Sequence, residues 1–440
     1  MNDVTRVRVG RPRRCAAVSS PVPSRKSIRL HGVMDEDGRV DESRLRKYIF
    51  LNGGVLPQER TPVWQFLFGM YPSRSTAMER PRIQEQMVVR YQVMKQKWQH
   101  ICPGAVHLQL NGTDGEIVAA VDFFRHRQSL IQEEVSRLPR EARERKSFLE
   151  LQTEILLKRV DINLEELQEA IRIIDKDVPR TDRDLNYYLG EGLGNLLVLR
   201  DILITYAAFH PDVSYAQGMN DICSRFLVVL DSEVDTFWSF SCYMKTFSKD
   251  FHVDGLHRKI ELEAALLKEL DPLLHRHLVT DSMDRFTFCH RWLLLGFQRE
   301  FEHSEALRLF EILRCDHLEL ISQQVERARY QERIIQNQTA EDKPRIEPLL
   351  MKTEYTFELF ICASIILENR EKLLNCRNDV QLIQFTSSLQ GTLDLNSTLK
   401  KAEEHFFNYC KCSTWGYLNS RYHSHRSKDH FLNQIRNLFT

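Results

Sequence analysis

Two side chains at either end of the stretch Ile174 to Met219 are of types suited to phosphate chemistry. Arg180 follows a proline-marked turn in Asp175-Lys176-Asp177-Val178-Pro179-Arg180-Thr181. Its guanidinium is a rigid, permanently charged fork that matches phosphate oxygens. Gln217 stands in Tyr215-Ala216-Gln217-Gly218-Met219, and its amide can hold a water or an acceptor in place. The chain has no G-x-x-x-x-G-K-[ST] or G-x-G-x-x-G loop with which to cradle a nucleotide. Phosphate chemistry without such a loop suggests action on a nucleotide held by another protein.

The elements around the two residues read as helices. Asn163-Leu164-Glu165-Glu166 is an asparagine cap followed by acids in the first turn, with Leu167, Ala170, Ile171 and Ile174 on one face. Pro179 stops that helix and leaves Arg180 on a loop. Asn195 to Phe209 reads as an amphipathic helix ended by His210-Pro211. Gln217 follows it and precedes another apolar run, so one helix separates the two loops. They share a site only if the chain between them folds back.

Elsewhere, Asp41-Glu42-Ser43 starts a helix, and Arg60-Thr61-Pro62-Val63-Trp64 opens a short one ended by Gly69. Glu79 to His100 and Phe237 to Met244 follow the helical period. Val106 to Phe124, β-branched with Asn111-Gly112 at its centre, suggests a small hairpin or an unstructured insertion. Glu133 to Leu157 reads as one solvated helix. Phe286 to Phe301 is apolar over most of its surface and reads as central, with His290 a packed core histidine. Leu320 to Pro348 is a composition break, rich in Gln, Arg and Glu, and reads as a linker or a solvated insertion. Strand signals are almost absent, so the expected fold class is all-α.

Composition narrows the function classes. Of 440 residues, 42% are hydrophobic and 28% charged, as in an ordinary globular protein. Lys plus Arg number 61 and Asp plus Glu 61, a balance that argues against nucleic acid as a main partner. No run approaches the ~20 apolar residues of a membrane span. Met1 to Leu30 is arginine-rich and poor in acids, but Pro12, Pro21 and Pro23 interrupt any amphipathic helix. It reads as a disordered basic tail able to touch an anionic membrane. The ten cysteines are scattered, which favours reduced thiols. Cys410, Cys412, His423, His425 and His430 lack structural-zinc spacing, so no metal site is expected.

Three short motifs carry a family resemblance. Ile174-x-x-Asp177-x-x-Arg180-Thr181 resembles the arginine-finger motif of the TBC-domain Rab GTPase-activating proteins. Tyr215-x-Gln217-Gly218-Met219 resembles their glutamine-finger motif, and Arg60-x-x-x-Trp64-x-x-Leu67-x-Gly69 their opening motif. The three stand in the family's order, and the likeness runs from about Leu45 to about Tyr409. Lys-Asp-Val-Pro-Arg-Thr-Asp and Ala-Gln-Gly-Met-Asn-Asp look closest to the branch of family members 15, 16, 17 and 25. Two departures stand out. Val106 to Leu157 is longer than the family spacing, and Phe310 stands where the family often has tryptophan.

The resemblance implies a TBC fold, an elongated array of helices in two sub-lobes. It implies a basic tail over 1–40, a Rab-GAP domain over 41–412 with insertions at about 104–157 and 320–350, and a tail over 413–440. The implied partner is a GTP-bound Rab. The chain would be a GTPase activator rather than an enzyme with its own nucleotide site, the GTP and magnesium belonging to the Rab. Arg180 would neutralise charge at the β–γ bridge, and Gln217 would orient the attacking water. Asp177 would hold the arginine loop and Thr181 would cap the turn after it. Tyr215 and Gly218 would set the second loop, and Arg60 and Trp64 would be structural. The implied setting is vesicle trafficking, with the chain cytoplasmic or peripheral on endosomal, autophagic or other vesicle membranes. The alternative is a non-catalytic TBC scaffold that binds a GTPase or a membrane adaptor.

Overall fold

A computed structural model describes residues 30–103, 110, 112–136, 140–279, 286–318 and 355–421. Among these the architecture is helical, and the one β-type pairing is an isolated bridge between Met34 and Val40. The first lobe comprises α1 (Glu42–Leu51), α2 (Arg60–Leu67), α3 (Arg80–Ile101), α4 (Asp114–Ser136), α5 (Arg140–Leu157), α6 (Leu164–Asp177), α7 (Asn195–Phe209), α8 (Met219–Leu230) and α9 (Glu233–Phe247). The second comprises α10 (Val253–Leu270), α11 (Pro272–Leu278), α12 (His290–Leu295), α14 (Phe357–Glu368), α15 (Arg370–Leu374), α16 (Asp379–Ser388) and α17 (Leu395–Arg421).

Helix α13 (His303–Arg314) belongs to both lobes. Leu307 and Phe310 pack into the first hydrophobic core, whereas Ala306, Leu309 and Ile312 pack into the second. Two apolar stripes at helical spacing let one helix be shared by two cores. The all-α, two-lobed array is the one expected.

At the seam sits the opening motif. The fully buried Glu311 carboxylate accepts from Arg60 Nε at 2.8 Å, Trp64 Nε1 at 2.9 Å and Val55 N at 2.7 Å. Burial pushes the Glu311 carboxyl up, and Arg60 opposes that shift. Phe310 joins Trp64, Phe68, Phe226 and Tyr243 in one aromatic cluster, with the Arg225 guanidinium 4.7 Å from its ring centroid. The phenylalanine in the place of tryptophan is therefore a packed member of the core.

Several expectations are corrected. No hairpin forms after Thr113. Thr113 N donates to Glu116 Oε2 at 2.8 Å while Glu116 N reaches Thr113 Oγ1 at 3.4 Å, a capping box that launches α4. The stretch from 133 to 157 is not one solvated helix, because α4 ends at Ser136 and α5 begins at Arg140. Nor is α4 loosely appended. Its Gln128 donates to Glu233 Oε2 at 2.7 Å, and its Arg127 to Asn195 Oδ1 and Asp231 Oδ1, each at 2.8 Å.

Helix α7 is buried almost all round rather than amphipathic. Gly190–Phe209 is long and apolar enough to cross a membrane by length and composition, but 83% of its most apolar window lies inside the domain, as expected of a central core helix. The Phe286 to Phe301 segment is central but broken: Gly296 and Phe297 take positive φ of 58° and 59°, ending α12 after six residues. His290, at the start of α12, is exposed rather than packed, while its neighbour Cys289 is buried. The basic tail expected to reach residue 40 gives way at Leu30 to a short 3₁₀ turn. Helix α17 runs to Arg421, past the expected boundary at 412. Residues 1–29, 319–354 and 422–440 lie outside the described residues, as does the expected insertion at 320–350.

The Arg60–Glu311 pair yields a test. Arg60→Leu leaves a buried carboxylate without its cation and should cost about 3–5 kcal/mol in chemical denaturation, whereas Arg60→Leu combined with Glu311→Leu should recover much of that loss.

Candidate functional site

Sequence dictates how the first loop is held. Asn163 caps α6, its Oδ1 accepting from Glu165 N at 3.1 Å and Glu166 N at 3.4 Å. The helix runs to Asp177 and tightens into a 3₁₀ turn over Val178–Arg180, where Pro179 lacks the donor an α-helix would need. Thr181 leaves in the extended region, with its hydroxyl donating to the Asp177 carbonyl at 3.0 Å. The result is a sharp corner with Arg180 at its tip.

Arg180 is exposed over 61% of its side chain, whereas the Asp177 side chain is 3% exposed. Arg180 Nη2 donates to Asp177 Oδ1. A buried acid thus holds the root of an exposed base.

The second loop is shaped by a glycine. Gly218 has φ +100° as the N-cap of α8. A Cβ there would sit 3.0 Å from Leu295 Cδ2 in a backbone region that strains other residues, so the position demands glycine. Gln217, just before it, is exposed. Tyr215 is buried, and burial first and then Asp177 push its hydroxyl well above the ordinary tyrosine range. It therefore remains a proton donor.

A buried polar cluster joins the two loops. Tyr215 directs its proton to Asp177 Oδ2 at 2.8 Å and stands 3.1 Å from Asn220 Oδ1. Asn220 Nδ2 donates to Thr181 Oγ1 at 2.9 Å, and Gly218 N donates to Asn220 Oδ1 at 3.2 Å. Asp177 and Thr181 from one loop thus meet Tyr215, Gly218 and Asn220 from the other. The structure brings together Asp177, Arg180, Thr181, Tyr215 and Gly218, with Gln217 exposed next to Gly218 in the chain, and it places Arg60 and Trp64 apart, against α13.

The sequence reading missed Asn220. It is the first-turn asparagine of α8, and its amide offers an acceptor and two donors to both loops at once. A second polar set below it was also missed. Ser224 donates to Asp182 Oδ2 at 2.6 Å and contacts the Tyr188 hydroxyl at 2.8 Å, while Asp221 pairs with Arg299 at 3.0 Å. Burial pushes the carboxyls of Asp182 and Asp221 up, with Ser224 and Arg299 respectively the leading opposing influences.

The profile of the Rab-GTPase-TBC domain matches residues 127–325, which includes both loops. The chain carries a Rab-GTPase-TBC domain. The TBC fold is also that of the crystal structure of the Ypt/Rab-GAP domain of Gyp1p, which superposes with a TM-score of 0.52 at 15% identity, covering 86% of this chain and 95% of that one. TBC1 domain family member 25 of Homo sapiens, within the branch expected from the loop motifs, is 30% identical over 296 residues, covering 66% of this chain and 34% of that protein. GTPase-activating protein gyp7 of Schizosaccharomyces pombe is 26% identical over 375 residues, covering 84% of this chain and 40% of that protein. The chain therefore spans well under half the length of these curated relatives.

The side chains of Cys410 and Cys412, and the histidines beyond them, lie outside the described residues. Within the TBC domain, Asn220→Ala removes partners from Tyr215, Thr181 and Gly218 together. It should destabilise the domain by about 1–3 kcal/mol. Hydrogen exchange should rise in the 177–182 and 215–220 segments alike; a rise confined to one segment would show that the loops are not coupled through this side chain.

Proposed function

We propose that this TBC domain accelerates GTP hydrolysis on a Rab-family GTPase, with Arg180 and Gln217 as the two side chains that enter the partner's nucleotide site. The observation that carries the reading is the buried Asp177–Tyr215–Asn220–Thr181 cluster, which fixes two loops together while leaving their arginine and glutamine tips exposed. A loop arginine meets the charge that develops as the γ-phosphoryl departs, and such fingers contribute roughly 10³–10⁵ in rate. The Gln217 amide, on the loop joined to it, orients the attacking water, supplying the positioning part of catalysis.

Asp177 has a defined task in this mechanism. Arg180 carries high side-chain entropy, and the buried carboxylate holds its guanidinium near one orientation before the partner arrives. Tyr215 and Thr181 keep that carboxylate and its turn in place. The GTP and its magnesium belong to the partner, in keeping with a chain that has no phosphate-cradling loop. Action on a Rab places the domain at the cytoplasmic face of trafficking membranes.

Single-turnover hydrolysis across a panel of GTP-loaded Rabs tests the proposal. Wild-type domain should accelerate at least one member; Arg180→Ala should lower that acceleration by about 10³-fold or more. Gln217→Ala should lower it by roughly 10²-fold. Arg180→Lys should not restore it, because an ammonium lacks the planar fork. If every Rab hydrolyses at its intrinsic rate, or if Arg180→Ala is as active as wild type, the reading fails. GTP-dependent binding that survives loss of both side chains would then favour a non-catalytic scaffold.

A further inference from the structure

A cavity of about 310 Å³ lies between the start of α1, the turn after α2 and the end of α13. None of its lining residues belongs to the Arg180 or Gln217 loops. Three arginines from three separate elements converge on it: Arg46, Arg74 and Arg314.

Their states differ. Arg46 is committed, since its Nε and Nη2 donate to Glu42 Oε1 at 3.0 and 2.8 Å and its Nη1 to the Arg314 carbonyl at 2.6 Å. Arg314 is not. Its Nε is buried with no hydrogen-bond partner, and its Nη1 stands 3.9 Å from Asp316, at the outer limit of an ion pair. Burial first, and then the Arg46 charge, push the Arg314 guanidinium down from its ordinary range. Arg74 is exposed and forms no ion pair among the described residues.

A buried cationic donor without an acceptor is costly, and such a group in a folded protein calls for an explanation. Among the lining residues three arginines face one carboxylate, and counting Asp316 as well still leaves positive charge. The lining thus carries net positive charge.

We propose that this cavity binds a phosphate monoester carried on a single ring-sized group. A phosphomonoester brings about two negative charges and several acceptor oxygens, enough to meet Arg74 and the Arg314 guanidinium together. Arginine is the side chain suited to such oxygens. The volume lies at the lower end of small-molecule pockets, ~300–1,000 Å³, leaving room for one ring beside the phosphate. Phe66 and Tyr71 supply an apolar wall for that ring. The ligand's source is either a lipid headgroup or a soluble phosphate ester.

Titration calorimetry with inositol monophosphate tests the soluble source. Co-sedimentation with phosphatidylcholine vesicles, with and without a phosphatidylinositol phosphate, tests the lipid source. Saturable binding should appear in one arm or both, and the arm in which it appears assigns the source. Arg74→Glu, on the exposed rim, should weaken it at least tenfold without altering the melting temperature of the unliganded protein, and Arg314→Gln should weaken it likewise. No saturable binding in either arm overturns the proposal. So does binding that survives both substitutions, as vesicle attraction through the basic N-terminal residues would. Neither readout involves GTP hydrolysis, so the outcome is independent of the function proposed above.

Discussion

The buried Asp177 carboxylate is the interaction on which the site depends. One oxygen receives the exposed Arg180 guanidinium and the other the Tyr215 hydroxyl. A carboxylate out of water must have its lone pairs filled, so removing either partner leaves a costly unpaired acceptor. The same need that stabilises the corner also fixes the distance between two loops separated by a whole helix in sequence. Folding energy and loop geometry are therefore set by one group. Asn220 extends this arrangement by linking Thr181 on one side to Gly218 on the other.

That corner rests on a larger frame. Helix α7, buried on nearly every side, is the post between the loops, and α6 and α8 pack on it. The two lobes meet through α13, whose Glu311 gathers Arg60, Trp64 and the Val55 amide from residues some 250 positions earlier in the chain. A buried acid with three donors holds the seam, as a buried acid with two holds the loops. In both places the polar group selects one arrangement among many that would bury similar apolar area.

Much of this was legible in the chain. The helical period, the Asn163 cap and the turn signals at Pro179 and Gly218 place the loops, because each acts within a few residues. The finger motifs name the side chains at the tips. What was hidden depends on distance or on competing local signals. Asn220 lies in a motif already singled out, but its partners come from 39 residues earlier as well as from its own loop. Glu311 reads as one more acid on an amphipathic helix until the fold brings Arg60 to it. The error at Val106 to Phe124 was different in kind. Its β-branched residues and Asn-Gly step suggested a hairpin, while Thr113-Asp114-Gly115-Glu116 already spelled a capping box. His290 was misjudged because it is the first residue of α12, where the chain leaves the Thr287–Cys289 3₁₀ turn, and its side chain is exposed while Cys289 before it is buried.

The central claim is that Arg180 and Gln217 reach one nucleotide, held there by the Asp177 cluster. Rab panels loaded with GDP and aluminium fluoride, which mimics the departing phosphoryl group, test it most directly by complex formation on size-exclusion chromatography. A stable complex should form with at least one Rab only when fluoride is present, and Arg180→Ala or Asp177→Ala should each abolish it. A complex that forms equally well without fluoride, or that persists in Arg180→Ala, would contradict the account.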